Sequence, residues 1–116
     1  MGRALKPANA RFAMLPRRCS GCVYAAELSN GLVKVGFTEN PRNRMTMLAR
    51  EVAGSFGADL ARFHVGADIT RRGAIAAEQT LIQRLGEVAD VVPGRREFFS
   101  GVAFGVAVDL VERAGS

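Results

Sequence analysis

The sequence predicts a small α+β domain, with a three-stranded, mostly antiparallel sheet flanked by helices, a basic N-terminal arm and an apolar C-terminal helix. Three observations carry that expectation. Two short runs, CVYAAEL and LVKVGF, flank Ser29-Asn30-Gly31, which is a hairpin signal. Two later segments repeat apolar residues at helical spacing behind capping residues. A hydrophobic share of 48% and a charged share of 23% over 116 residues fit one globular domain and exclude a disordered chain.

Residues 1–21 read as the arm, interrupted by Pro7 and Pro16, and residues 22–116 as the domain. The first strand runs from Cys22 to Leu28 and the second over 32–37. Two registers are open. A two-residue Asn-Gly turn pairs Tyr24 with Phe37 and sends Lys34 to the other face. A three-residue loop with Gly31 left-handed pairs Tyr24 with Gly36 and puts Tyr24 and Lys34 on one face. Asn40-Pro41 then opens a helix to about Arg50, and DLARFHVG (59–66) suits a third strand. Asp68 or Thr70 caps a helix over 70–86. Residues 88–92 form a short apolar piece stopped by Pro93-Gly94, and Ser100 caps a last helix, GVAFGVAVDLVERAG. Three short strands need such helical cover to be stable.

Charge is unevenly placed. Residues 1–22 carry five bases and no acid, so the whole net charge of +5 sits on the arm, and the remainder is neutral. Such an arm suits a phosphate backbone, with Arg17 and Arg18 as candidate nucleic-acid contacts and DNA as the expected partner. No apolar run reaches the ~18 residues of a spanning helix, and residues 1–18 contain no signal-peptide core, so a cytoplasmic, non-membrane protein is expected. Two cysteines cannot staple a secreted scaffold. The lone Cys19-Ser20-Gly21-Cys22 falls short of a tetrahedral zinc site and reads as packing thiols. His64 reads as an ordinary half-exposed strand residue.

Some residues sit where a plain fold would not put them. On the 70–86 helix the apolar stripe is Ala74, Ile75, Leu81, Ile82 and Leu85, and Glu78 falls near its centre. A carboxylate aimed at a core costs several kcal/mol unless it is paired or metal-bound. Tyr24 and Lys34 are polar positions on the hairpin strands. Gly36 leaves the backbone open to close approach by a ligand. Arg42 and Arg44 lie in the first turns of the 41–50 helix. Arg44 is at the margin of its apolar face, where a planar guanidinium can reach a phosphate.

Taken together, Tyr24, Gly36, Arg44 and Glu78 resemble the signature of the GIY-YIG nuclease superfamily. Cys22-Val23-Tyr24 stands where the family has GIY, and Lys34-Val35-Gly36 where it has YIG. The chain is most similar to a phage- and bacterial-type branch that reads KIG. That branch also tends to carry Ala-Glu in a helix (Ala77-Glu78) and a later Glu-aromatic-Phe (Glu97-Phe98-Phe99). The resemblance covers roughly residues 22–100.

It implies one divalent ion, Mg²⁺ or Mn²⁺, on the Glu78 carboxylate, with Tyr24 as general base and Arg44 stabilising phosphoryl charge. Lys34 replaces the second tyrosine, to assist or to bind phosphate. The expected function is therefore a metal-dependent DNA endonuclease. A DNA-binding module that does not cut is the alternative, as is a phage-type protein-interaction domain. The terminal helix is open to covering the sheet, a second copy or a protein partner.

Overall fold

A computed structural model describes residues 12–114, with eight elements in the order β-β-α-β-α-β-β-α. The strands β1 (Cys22–Leu28), β2 (Val33–Thr38), β3 (Leu60–Val65), β4 (Asp90–Val92) and β5 (Arg95–Ser100) form one antiparallel sheet, in the order β3-β1-β2-β5-β4. The helices are α1 (Pro41–Phe56), α2 (Arg71–Val88) and α3 (Phe104–Ala114).

The hairpin takes the three-residue loop. Gly31 adopts φ +91°, and Tyr24 pairs with Gly36 and Ala26 with Lys34. Strand alternation then divides the core. Tyr24, Ala26 and Leu28 face α1 through Met45, Leu48 and Val52, whereas Val23, Ala25, Val33 and Val35 face α2 and α3. The sheet is thus covered on both sides.

The sheet has five strands, not the expected three. Two are a hairpin over Pro93-Gly94, where Gly94 takes φ +75°. The strand β5 begins with the charged run Arg95-Arg96-Glu97, which hides its apolar half. Phe98 then enters the α1-side core and Phe99 the opposite one.

Helix bounds shift for local reasons. Asn40 accepts a hydrogen bond from the Asn43 N–H at 3.0 Å, and Pro41 takes the first turn. The helix α1 continues past Arg50 because buried Val52 extends the Met45 and Leu48 stripe, and it stops at left-handed Gly57. Thr70 caps α2. Asp68 instead accepts the backbone N–H groups of Ser20 and Gly21 at 3.0 and 3.2 Å. The last helix starts at Phe104 rather than after Ser100, since Gly101 takes φ +79°. It buries Phe104, Ala107 and Val111 against the sheet.

Residues 1–11 of the expected arm lie outside the described residues. Those from 12 onward pack on the domain. Phe12 is 5% exposed and meets Phe63 with ring centroids 5.4 Å apart. Arg42 holds the same segment, through its backbone N–H to the Pro16 carbonyl and its Nε to the Leu15 carbonyl.

Candidate functional site

Tyr24 has 0% exposure, and its ring lies across β2 over Gly36. A Cβ at Gly36 would come within 2.6 Å of the Tyr24 Oη. Gly36 was expected to leave the backbone open to a ligand, but it is buried and the phenol takes that space. The Oη itself is buried with no hydrogen-bond partner among the described residues. Burial pushes the phenol above the ordinary tyrosine range, the positive charges of Lys34 and Arg44 pull it back, and Glu97 adds to the rise.

Lys34, a polar strand position in the sequence, is 4% exposed. Its ammonium donates to Glu97 Oε1 at 2.7 Å and to the Val35 carbonyl at 3.0 Å. It also lies 5.6 Å from the Tyr24 ring centroid and 5.4 Å from that of Phe98. Such a position is affordable for an ammonium only because the Glu97 carboxylate accompanies it.

Glu78 is 8% exposed on α2 and so is turned inward, as the stripe predicts. Burial raises its carboxyl above the ordinary glutamate range, and the neighbouring Glu97 adds to this. The Lys34 charge and the Phe37 backbone N–H oppose the rise. Glu97 and Lys34 therefore act on both Tyr24 and Glu78. The meeting point is where β5 leaves β2, whose pairing runs only through Val33–Phe99 and Lys34–Phe98. There the charge of Lys34, on the α1 side with Tyr24, is felt by Glu78 on the α2 side.

Arg44 is exposed on α1, and its charge reaches Tyr24. Arg17 and Arg42 lie apart from this cluster. They line an open depression with Asn40, Asn43 and Thr46 at the start of α1. Arg18 is exposed beside them in sequence. Glu97 was absent from the expected site. Its only signal was the Glu-Phe-Phe string, because a charged residue opening a strand otherwise reads as solvated. His64 pairs with Glu112 of α3, and the Cys19 and Cys22 sulfurs touch each other.

Among the described residues no group of three or more His, Cys, Asp or Glu gathers to hold a metal. The donor chemistry nonetheless fits a hard cation of the Mg²⁺ kind. Such ions are held by one or two carboxylates together with substrate phosphate oxygens and water, and Glu78 is a buried carboxylate with the Glu97 carboxyl beside it.

The class of protein is a small α+β domain with an inward acid, a lysine and a phenol gathered at the seam of a sheet covered on both faces. The chain belongs to the T5orf172 domain family, whose model matches residues 21–115; the family is phage-associated and related to GIY-YIG/HNH-like nuclease folds. No curated protein and no solved structure matches the chain. Among the described residues no helix is long and apolar enough to cross a membrane.

Proposed function

We propose that this domain is a divalent-metal-dependent DNA endonuclease of the GIY-YIG type, acting through Tyr24, Lys34, Arg44 and Glu78. The observation that supports this most is the buried, unpartnered Tyr24 Oη under the charges of Lys34 and Arg44. A fold gains nothing from an orphaned buried hydroxyl, so its retention calls for a use. When bound, Mg²⁺ or Mn²⁺ supplies Lewis-acid polarisation of the scissile phosphate, and Glu78 would hold it.

The chain's own residues would do the rest. Once its proton has passed to solvent, the Tyr24 phenolate takes a proton from water, the resulting hydroxide attacks phosphorus, one P–O ester bond breaks, and the departing alkoxide takes a proton back from the Tyr24 phenol, which restores the phenolate. Arg44 neutralises charge growing on the phosphoryl oxygens. Lys34 stabilises the phenolate. Arg17, Arg18 and Arg42 contact the DNA backbone together with the basic residues of the arm. The Tyr24 Oη is enclosed in this state, so water reaches it only when the side chains above it move.

That enclosure favours one second reading. With the phenol shut in and Lys34 bound to Glu97, the same surface could hold DNA without cutting it. Plasmid nicking with Mg²⁺ or Mn²⁺ separates the two readings. Cleavage by the native chain that is lost in Glu78→Ala supports the endonuclease. Salt-sensitive DNA retention with no cleavage supports the binding module.

A further inference from the structure

Lys34 is one of two lysines in the chain, and its side chain is 5% exposed. A lysine stem is long enough to carry its ammonium out to water, and a buried unpaired ammonium favours that escape. Its anchors here are few. Among the described residues, Glu97 is the single carboxylate in ion-pair contact with it, and the Val35 carbonyl is its other hydrogen-bond acceptor. Glu97 sets a full negative charge against the ammonium and at 2.7 Å makes the shorter of the two bonds, so it is the stronger anchor.

Its location is specific. Glu97 lies one residue beyond the last β2–β5 pair, Lys34–Phe98. Alternation along β5 sends Phe98 toward α1 and Phe99 toward α2, which puts Glu97 on the side of Glu78. The ion pair therefore crosses the sheet through the seam where the two strands part.

Resting on the endonuclease reading, we infer that Glu97 is a positioning residue whose carboxylate holds the Lys34 ammonium inside the domain, against the Tyr24 ring. Without it, Lys34 swings outward and Tyr24 loses the stronger of its two cationic neighbours. Three charged groups bear on the phenol: Lys34 and Arg44 favour its ionisation and Glu97 opposes it, with Lys34 the strongest of them. The consequence of losing Glu97 therefore has a diagnostic sign. If Lys34 leaves with it, the phenol becomes harder to ionise. If Lys34 stays, removing the Glu97 charge makes ionisation easier.

The test needs no DNA. Folded protein is treated with an amine-reactive ester, and the Lys34 peptide is followed by mass spectrometry. In Glu97→Gln the Lys34 acylation rate should rise at least about tenfold, because the buried ammonium is left without its carboxylate. Glu97→Asp should fall between Glu97→Gln and the native chain, and it serves as the folded variant should Glu97→Gln fail to fold by circular dichroism. Val111→Ala, which loosens the opposite core, should leave the rate within about twofold.

Tyr24 is the only tyrosine and the chain has no tryptophan, so phenolate absorbance reads it alone. Its titration midpoint should rise in Glu97→Gln. An unchanged Lys34 rate in a folded variant, an equal rise in Val111→Ala, or a fall in the Tyr24 midpoint would each overturn the positioning role. Failure of the native chain to cut DNA would overturn the endonuclease reading alone, since lysine labelling still judges Glu97.

Discussion

Tyr24 and Gly36 form a cross-strand pair in which the absent side chain of one makes room for the phenol of the other. Only hydrogen at position 36 lets the Tyr24 ring lie flat across β2 and stay 5.6 Å from the Lys34 ammonium. Gly36→Ala should cost ~1–3 kcal/mol, as overpacking does. Chemical denaturation measures the loss. The same variant should shift the Tyr24 titration, because the ring must tilt away from Lys34. A stable variant with an unshifted midpoint would show that the glycine is incidental.

Glu78 is a cost to the fold. A carboxyl raised in the folded state favours the protonated form. Its contribution is therefore fully present below the ordinary glutamate value and is lost as pH rises through the folded value. Glu78→Gln should raise the melting temperature at neutral pH, and the gain should vanish below pH ~4, where the carboxyl is protonated in both the folded and unfolded states. Thermal melts across that range give the answer. A uniform gain at every pH would point to packing rather than charge. Cleavage should be lost in this more stable variant, the usual trade between stability and function.

Cys22 makes a different pH prediction. Burial pushes its thiol up to about 12, with Cys19 and Asp68 adding to the rise. A raised thiol supports the fold fully below its ordinary value of 9.0 and loses that support as pH climbs through about 12. Alkylation of native protein near neutral pH should mark half-exposed Cys19 first and spare Cys22. Peptide mapping after iodoacetamide treatment checks it. Equal labelling of both thiols would contradict the burial.

Phe12 and the basic residues before it call for separate tests. Removing residues 1–11 takes away Arg3, Lys6 and Arg11 and, if the arm holds DNA, should reduce the salt slope of binding by up to about 3. The fold should survive that cut. Phe12→Ala should instead destabilise by ~3–5 kcal/mol, because the ring is buried against Phe63. Filter binding at several salt concentrations and a denaturation curve test the two halves. An unchanged slope would remove the arm from DNA binding.

Much of this was legible in the residues. The Tyr24–Gly36 register was one of two that the turn allowed, and left-handed Gly31 selects it. The inward turn of Glu78 followed from helical periodicity alone, since an amphipathic stripe is a local property. Glu97 was not legible as a partner of Lys34, because an ion pair between residues 63 apart depends on which strands become neighbours. The strand β5 was missed for a similar reason: its charged start and short β4 partner make a weak local signal. Phe12 was hidden inside a charged, proline-bearing stretch that reads as solvated.

The seam between β2 and β5 has a consequence for how such a domain can change. The acid is carried by α2 on one face of the sheet, whereas the phenol of β1 and the guanidinium of α1 lie on the other, so their spacing is set by the thickness of a single pleated layer. Longer loops and altered outer helix surfaces leave it undisturbed. A slip of one residue in β2, however, would turn Lys34 and Gly36 to the wrong side together and dismantle the whole arrangement in one step.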